Sequence, residues 1–504
     1  MKPGRECDRL STASRKKLII LITLGICFMV IGLTCSLVDP VLIIARHQLN
    51  VIPGTRMYNG LTSEITGAYV SAYFFNVTNS ERFLSGEDHQ LKVQEVGPFT
   101  YIEKRFNTHF EVDYEKQVMR YQPFVNTTFV PELSIDDPEN VNITIPNTAL
   151  LSIATAMSSY PFWSKMALNM LIRRFDSKPI MSMTAQEFLW GYDEPLLAFG
   201  HTLLPGYINF DKFGFFDRLY DNTRDYRMEL SLKEESRFQI LSVNGHAGFP
   251  YWGYEDPSKR SRCNSFVDAY EGFAYPPGLP HDRPLRLYRN LFCRILEIDY
   301  VETRRLDFCP EAYLFKISDR TYKMNNDTEC LCSHYGCHEG MSDLSPCFYG
   351  LPTMMSNGHF YGADPKVYER VEGLAPDEER HGSSFMIDPK LGTALTFSMT
   401  VQLNVPVSDV GFNTNTAPFS NMMVPIAYFK VTMPELDDWV KTLFWLLYIL
   451  GPRAVLVVEL ISLTAGLCLL AIATRILYGN WVNNRLRVSK TPLRSEVPLM
   501  QEKL

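Results

Sequence analysis

The chain has 504 residues, and its composition is typical of a folded protein that lies mostly in water. Hydrophobic residues make up 46% and charged residues 21%, and the 32 Phe and 26 Tyr argue against a disordered chain. The mean hydropathy of -0.09 is far below that of a polytopic transporter. The formal net charge of -7 argues against a nucleic-acid binder.

Positive charge is concentrated at the two ends of the chain. Residues 1–17 and residues 475–504 each carry six basic and two acidic side chains, a net charge of +4. The residues between these two ends therefore carry a net charge of -15. An asymmetry of this kind is typical of a chain whose ends face a different compartment from its middle.

The first apolar segment predicts a membrane span. Residues 18–38 contain no charged side chain, and the apolar residues 41–44 extend the run, so we predict a transmembrane helix over 18–44. A cleaved signal peptide is the alternative, but its apolar core is only about 7–15 residues long. We therefore expect an uncleaved signal anchor.

A second span is predicted over residues 452–474. Residues 454–473 are apolar apart from Glu459, and residues 443–450 are expected to form a separate juxtamembrane helix before Pro452. A carboxylate inside a bilayer is costly unless it is protonated or paired. Glu459 would either associate with the first span or be a protonated carboxyl near the outer leaflet, and we favour the second interpretation.

The positive-inside rule places residues 1–17 and 475–504 in the cytosol. Residues 45–451 then form one large domain on the cell surface or in an organelle lumen. The four N-glycosylation sequons all lie in this segment, as that topology requires. They begin at Asn76, Asn126, Asn142 and Asn326.

Seven of the 11 cysteines lie within residues 263–347, which predicts a local disulfide region in an oxidising compartment. They are Cys263, Cys293, Cys309, Cys330, Cys332, Cys337 and Cys347. The segment 330–338 also offers Cys and His ligands that suit zinc. Its spacing matches no common zinc motif, so we expect disulfides and no metal.

The pattern of the large domain predicts an α+β fold with a largely antiparallel sheet. Strand-like segments run from Tyr69 to about residue 124 and again over 391–431, whereas 200–350 is interpreted as loops with short strands. A helical cluster is predicted over 150–195, with a helix at 161–176 and a capping box at Thr184–Glu187.

The sequence contains none of the common catalytic motifs that we searched for. There is no G-x-S-x-G, H-E-x-x-H, Walker or kinase motif, and the ten His are scattered. His246 and His359 are interpreted as loop or core histidines. We therefore expect no enzymatic activity and no cofactor.

Several local motifs resemble those of one family, and they run from about residue 15 to 475. They are Phe75-Asn76-Val77-Thr78-Asn79, Val93 to Phe99, Leu189 to Pro195, His359-Phe360 with Ala363-Asp364, Glu379-Arg380-His381, and Ile387-Asp388-Pro389. With two terminal spans, the chain resembles the class B scavenger receptors. That family includes the fatty acid translocase, the high-density-lipoprotein receptor and lysosomal integral membrane protein type two.

The resemblance implies both a fold and a disulfide pairing. The large domain would be an antiparallel β-barrel with an apical three-helix bundle and a lipid-lined tunnel toward the bilayer. The family pairing, carried over by order, implies Cys263–Cys330, Cys293–Cys347 and Cys332–Cys337, with Cys309 free.

The resemblance also implies a scavenger receptor that binds lipidic or polyanionic ligands and passes lipid to the membrane. Its ligands would be fatty acid, phospholipid, sterol or lipoprotein. The residues expected to capture them at the apex are Phe162, Lys165, Arg173, Arg174 and Lys178. The alternative is that these side chains are only the solvated face of an amphipathic helix.

The C-terminal tail bears on localisation. Glu496, Leu499 and Met500 resemble an acidic dileucine signal, but the spacing and the last residue depart from it. We favour the plasma membrane, with a lysosomal or endosomal membrane as the alternative. In that alternative the protein is a sorting receptor for a soluble lumenal hydrolase; homo-oligomer formation is left open.

Overall fold

The computed structural model describes residues 5–203, 212–223, 225–326, 328–333, 335–348 and 350–489. The chain divides into two compact units. The described parts of Met1–His47 and Trp439–Leu504 form one unit, and those of Gln48–Asp438 form the other.

The α-helices in chain order are α1 Arg5–Leu37, α2 Pro40–Gln48, α3 Arg56–Thr62, α4 Ser80–Leu84, α5 Thr148–Met157, α6 Phe162–Phe175, α7 Ala185–Trp190, α8 Pro195–Leu203, α9 Phe215–Leu219, α10 Glu378–His381, α11 Asp438–Trp445 and α12 Gly451–Ser489. The strands are β1 Ile65–Val77, β2 Leu91–Asp113, β3 Val118–Phe129, β4 Asn142–Pro146, β5 Ile180–Thr184, β6 Tyr192–Asp193, β7 Lys212–Phe213, β8 Met228–Ser231, β9 Ile240–Val243, β10 Ala269–Tyr270, β11 Leu285–Arg289, β12 Arg294–Arg304, β13 Ala312–Ile317, β14 Met341–Asp343, β15 Met354–Ser356, β16 Val371–Glu372, β17 Ser384–Asp388, β18 Thr393–Val407 and β19 Met422–Thr432.

The terminal unit contains two helices that are long and apolar enough to cross a membrane, Ser14–Leu37 and Asp438–Val482. The first helix ends at Leu37, and Pro40 begins α2, so the apolar residues 41–44 belong to a separate helix. Pro40 has no backbone N–H to continue the helix but fits its first turn. Asp39 caps α2 by accepting the N–H groups of Val41 and Leu42, both at 3.0 Å.

The second apolar helix differs from the expected start at Pro452. Helix α11, a π-helical turn over Leu446–Leu450 and α12 follow one another without a break. Residues 443–450 are therefore continuous with the apolar helix, and their interfacial or juxtamembrane position stays a prediction. Proline removes one backbone donor and crowds the preceding turn, and the wider π turn before Pro452 accommodates both effects.

The large unit is built around a 15-stranded sheet. Its main path runs β10-β11-β12-β13-β17-β18-β19-β1-β2-β3-β8-β9, and most neighbours are antiparallel. A single bridge between Gln239 and Tyr270 joins the region of β9 to β10, so the two ends of the path meet. The sheet is therefore nearly closed, and the predicted α+β fold with a barrel-like sheet is confirmed.

The burial of side chains along each strand explains which strands could be recognised in the sequence. Strand β18 coincides with the β-rich segment TALTFSMTVQLNVPV, and its residues Met399 to Val407 are all buried. The segment 200–350 contains more regular structure than expected, because β11, β12 and β13 lie in the main path of the sheet. These strands alternate less clearly because charged residues such as Arg286 and Arg294 are buried within them.

Three helices, α5, α6 and α8, pack against one another. Helices α5 and α6 lie in the segment 150–195 predicted to be helical, apart from the first two residues of α5, whereas α8 begins at its end and runs to Leu203. The capping box is present: Thr184 Oγ1 accepts the Glu187 N–H at 3.1 Å, and Glu187 Oε2 accepts the Thr184 N–H at 2.7 Å. Helix α7 therefore begins where the sequence predicts.

Three disulfides connect the cysteine-rich region. Cys263 is bonded to Cys330, Cys293 to Cys347, and Cys332 to Cys337. This is the pairing that the family resemblance implies. Cys309 is buried and not in a disulfide, and burial raises the pKa of its thiol to about 12, so the thiol stays protonated and unreactive at neutral pH.

Candidate functional site

The large unit contains a partly open cavity of about 210 Å³. It lies beside α5 and the strands β18 and β19, and most of its wall is aliphatic or aromatic. Representative wall residues are Ala149, Ile153, Leu197, Phe215, Leu403 and Ile426. The volume is below the roughly 300–1,000 Å³ of pockets for drug-sized ligands.

A few polar groups interrupt this apolar wall. The polar residues that line the cavity, together with the Cys293–Cys347 disulfide, are Thr148, Ser152, Arg218, Asn290, Thr353 and Asn404. The Thr148 hydroxyl is buried and has no hydrogen-bond partner among the described residues. An apolar wall with few polar groups is the usual arrangement for binding an apolar molecule and fixing its orientation.

Helix α6 carries four of the five residues predicted to capture ligand, and Lys178 follows the end of the helix. The helix has two apolar faces. Leu168 and Ile172 are buried. On the outer face, Phe162, Trp163 and Met170 are 67%, 76% and 66% exposed. Aromatic and Met side chains grouped on an exposed helix face are typical of an interaction surface, because isolated core packing would bury them. We call this outer face, together with Met166, the preceding Tyr160 and the exposed Arg173 and Arg174, the exposed α6 face.

A buried polar cluster fixes the helices that support α6. Asn147 caps α5 by accepting the Leu150 N–H at 3.0 Å, and its amide donates to Glu194 at 3.2 Å. Glu194 in turn accepts the N–H groups of Leu196 and Leu197 at the start of α8. Because one hydrogen-bonded pair caps both α5 and α8, the two helix ends are held together.

A second set of amide contacts attaches α6 to the loop that follows β18. Asn169 donates to the Phe412 carbonyl at 2.8 Å and accepts from the Asn413 amide at 2.8 Å. Lys165 lies over the Phe412 ring, with its Nζ 5.5 Å from the ring centroid. The helix that carries the exposed face is therefore anchored along its length.

The predicted capture residues do not form one compact pocket. Phe162 lies in the first turn of α6 and Arg173 and Arg174 in its last turn, about 16 Å apart along the axis. Both arginines and Lys178 are exposed, whereas Lys165 is half-buried. Basic side chains at a helix C-terminus also stabilise the helix dipole, so the interpretation as a solvated helix face remains open for the arginines.

The predicted modification and sorting residues have different environments. Asn126, Asn142 and Asn326 are exposed, and Asn76 is half-buried with its Oδ1 accepting the Thr144 N–H at 2.7 Å. A glycan attaches to Nδ2, so this hydrogen bond leaves the attachment atom available. Glycosylation at all four sites stays a prediction. Glu496, Leu499 and Met500 lie outside the described residues.

The architecture and the motifs lead to a family. The model of the CD36 family matches residues 21–477, which is most of the chain and both apolar helices. The chain belongs to the CD36 family. Membership confirms the resemblance to class B scavenger receptors from which the β-barrel was expected. The two terminal apolar helices fit a two-pass membrane protein.

Curated relatives of two kinds are similar to the chain. Scavenger receptor class B member 1 of Mus musculus is 27% identical over 417 residues, covering 81% of this chain and 79% of the relative. The protein of the same name from Bos taurus is 25% identical over 460 residues, covering 89% and 87%. Lysosome membrane protein 2 of Rattus norvegicus is 26% identical over 381 residues, covering 74% and 76%. The C-terminal tail left a plasma-membrane and a lysosomal location open, and the chain is similar to relatives of both kinds.

The cavity wall was not identified from the sequence. Its residues come from segments as far apart as Thr148, Phe249 and Ile426, and no local pattern separates a cavity wall from an ordinary core. The exposed α6 face gave a partial signal, because Phe162 and Trp163 follow Pro161 at the start of a helical segment.

Proposed function

We propose that this CD36-family protein is a lipid-binding receptor that shields the apolar part of a lipid inside its large unit. The observation that carries the proposal is the apolar cavity beside α5, β18 and β19. Each methylene of a lipid exposed to water costs about 0.8 kcal/mol, so an apolar cavity favours uptake of an acyl chain or a sterol ring. The absence of common catalytic motifs and the names of the relatives support a receptor rather than an enzyme.

We further propose that ligand is captured at the exposed α6 face and then passes through the large unit to the bilayer. Phe162, Trp163 and Met170 offer an apolar contact, and the exposed Arg173 and Arg174 offer positive charge, although residues 18–474 as a whole carry a net charge of -15. Anionic head groups of fatty acids or phospholipids complement such a surface. Transfer would run down a concentration gradient and would need no energy source.

Native mass spectrometry of the full-length glycosylated protein tests lipid binding in the cavity. We expect co-purifying lipid in the wild type and its loss in Ala149→Phe, because the new ring fills the cavity from the α5 wall. Ala198→Phe is the matched control, since Ala198 is exposed on α8. A wild type without bound lipid, or lipid retained equally in Ala149→Phe, would contradict the cavity as the binding site.

Vesicle binding tests capture at the exposed α6 face. We expect Arg173→Glu with Arg174→Glu to weaken binding of nanodisc-embedded protein to phosphatidylserine vesicles about tenfold, and to affect phosphatidylcholine vesicles little. Lys233→Glu with Lys259→Glu makes the same charge change at exposed sites elsewhere. If both double variants lose binding equally, net charge rather than the exposed α6 face explains the attraction.

A second candidate function is sorting of a soluble lumenal hydrolase; the similarity to lysosome membrane protein 2 supports the lysosomal location that this function requires. Deleting residues 496–504 and imaging the protein separates the two candidates. Loss of lysosomal delivery on deletion would support the sorting receptor. Unchanged residence at the plasma membrane would support the surface receptor.

A further inference from the structure

Two buried histidines and a carboxylate form a cluster in the large unit. His359 lies in a short 3-10 helix, His381 ends α10, and Glu95 lies on β2. The two imidazole rings stack with their centroids 4.2 Å apart, and both side chains are almost completely buried. Tyr428 on β19 lies against both rings and donates its hydroxyl hydrogen to Glu95 Oε2 at 2.9 Å.

Backbone hydrogen bonds define which nitrogen of each ring carries the proton. His359 Nδ1 accepts the N–H of Ala375 at 3.0 Å, and His381 Nδ1 accepts the N–H of Asp377 at 3.1 Å. A neutral imidazole has one N–H and one lone pair, so the proton of each ring is on Nε2. His359 Nε2 then donates to Glu95 Oε2 at 2.7 Å, while His381 Nε2 is buried without a partner among the described residues.

This proton arrangement does not suit a metal ion, although one ligand atom from each of Glu95, His359 and His381 lies within 4.8 Å of the others. A metal-bound histidine presents an unprotonated nitrogen to the ion and donates its other N–H to an acceptor. If Nε2 of each histidine bound an ion, Nδ1 would have to donate. Here Nδ1 of both rings faces a backbone N–H and must accept. The cluster is therefore built to hold protons at Nε2 rather than a cation.

We propose that His359 and His381 form an acid-sensitive latch that holds residues 375–381 against the sheet and releases them on protonation. His381 can add a second proton only at Nδ1. The Asp377 N–H would then lose its acceptor, because Nδ1 would present a second donor to it. This main-chain hydrogen bond would be lost, and the positive charge would lie on a ring that is almost completely buried, which is costly.

Some charges around the latch raise the pKa of His381 and others lower it. Glu95 is the nearest anion, and Arg380 partly offsets it, with Nη2 3.5 Å from Glu95 Oε1. Asp377 is the N-cap of α10, and its carboxylate accepts the Arg380 backbone N–H at 2.8 Å. Burial raises the pKa of Glu95, but hydrogen bonds from His359 and Tyr428 outweigh burial, so its pKa is lowered overall and it stays ionised.

Two tyrosines complete the surroundings of the latch. Tyr73 on β1 stacks on Tyr428 with ring centroids 4.5 Å apart. Burial raises the pKa of each hydroxyl above its ordinary value of about 10, so both stay neutral over the acid range. They therefore contribute packing and one hydrogen bond to the latch, but no titration.

The direction of the pH effect follows from His381. Burial is the main cause that lowers the pKa of His381, to about 4, and the neighbouring His359 and Arg380 act in the same direction, despite the opposing effect of Glu95 and Asp377. A released His381 has a pKa of about 6.5. Because the released state binds more protons between these values, opening is favoured as the pH falls, by about 30-fold at pH 5.0 relative to pH 7.5.

Hydrogen exchange of the full-length protein in nanodiscs tests the latch. After correction for intrinsic exchange, we expect the peptide that covers residues 373–382 to open about 30-fold more at pH 5.0 than at pH 7.5. A peptide that covers α5 should not change. The double variant His359→Asn with His381→Asn should lose the response, because Asn Oδ1 accepts the same N–H groups and does not titrate.

His246→Asn is the matched control, since His246 is half-exposed and pairs with Glu255 away from the latch. It should keep the wild-type response. Equal opening of residues 373–382 at both pH values would overturn the latch, and this wild-type comparison does not depend on the folding of any variant. A pH response that persists in the double variant would overturn it as well. The test is independent of whether lipid binds.

Discussion

Glu271 is a buried carboxylate that joins several parts of the sheet. Its side chain is 6% exposed, and Arg105 Nη1 lies 2.6 Å and Arg289 Nη1 3.8 Å from its Oε1. The Tyr121 hydroxyl donates to its other oxygen. Burial raises the pKa of Glu271, but the arginines outweigh burial and lower it, so the carboxylate is charged in the folded protein.

We expect Glu271→Gln to lower the free energy of unfolding by about 3 kcal/mol, because it leaves buried Arg105 without its counter-charge. Chemical denaturation of the full-length protein in micelles measures the change. The control is Glu302→Gln, whose partner Arg304 is on the surface, and it should cost less than about 1 kcal/mol. Equal effects of the two substitutions would mean that the buried network contributes little.

At the scale of elements, small residues let the two apolar helices approach closely. A Cβ at Gly32 of α1 would lie 2.7 Å from the Leu463 side chain of α12, and one at Gly466 would lie 2.9 Å from Met29. Contacts shorter than 3.0 Å require a shift of the helices or the side chains. In lipid, close backbone approach through small residues is a main source of helix association.

We expect Gly32→Leu to separate α1 from α12. Spin labels at the exposed Leu37 and Leu456, with the free cysteines replaced by Ser, report the distance between the helices by electron–electron double resonance. The distance distribution should lengthen and broaden in Gly32→Leu. Gly479→Leu on α12 is the matched control, because no atom lies within 4 Å of a Cβ at that position. An unchanged distribution in Gly32→Leu would exclude Gly32 from the helix contact.

For the whole molecule, the disulfides differ in the length of chain that they close. Cys293 and Cys347 are 54 residues apart, whereas Cys332 and Cys337 are five residues apart. In the loop-entropy description, closing the longer loop stabilises the fold by about 4 kcal/mol and the shorter loop by about 2 kcal/mol. The longer crosslink also forms part of the cavity wall.

We therefore expect removal of Cys293–Cys347 by Ala substitution of both residues to cost about twice as much stability as removal of Cys332–Cys337. Thermal and chemical unfolding of the two full-length double variants give the comparison. Neither pair is fully buried, so lost packing should not dominate the difference. A larger loss for the short loop would show that local strain or packing, rather than chain entropy, determines the contribution.

The sequence by itself determined the terminal spans, the fold class and the family. Each rests on a signal within a short segment: the uncharged run at 18–38, the β-rich pattern of β18, and the spaced motifs around Phe75 and His359. Local patterns also located α6 and the capping box of α7. These features depend on neighbours in sequence, which is why the sequence reveals them.

The family resemblance implied a barrel and a tunnel, but only the tertiary structure decided which residues close the sheet, which residues line the cavity and where the buried histidines carry their protons. Closure depends on Gln239 meeting Tyr270, and the cavity on segments that are far apart in the chain. His359 is a core histidine, as the sequence predicts, but its role depends on Glu95, 264 residues away. Such contacts follow from the packing of the whole sheet, because burial and hydrogen-bond partners are set by residues distant in sequence.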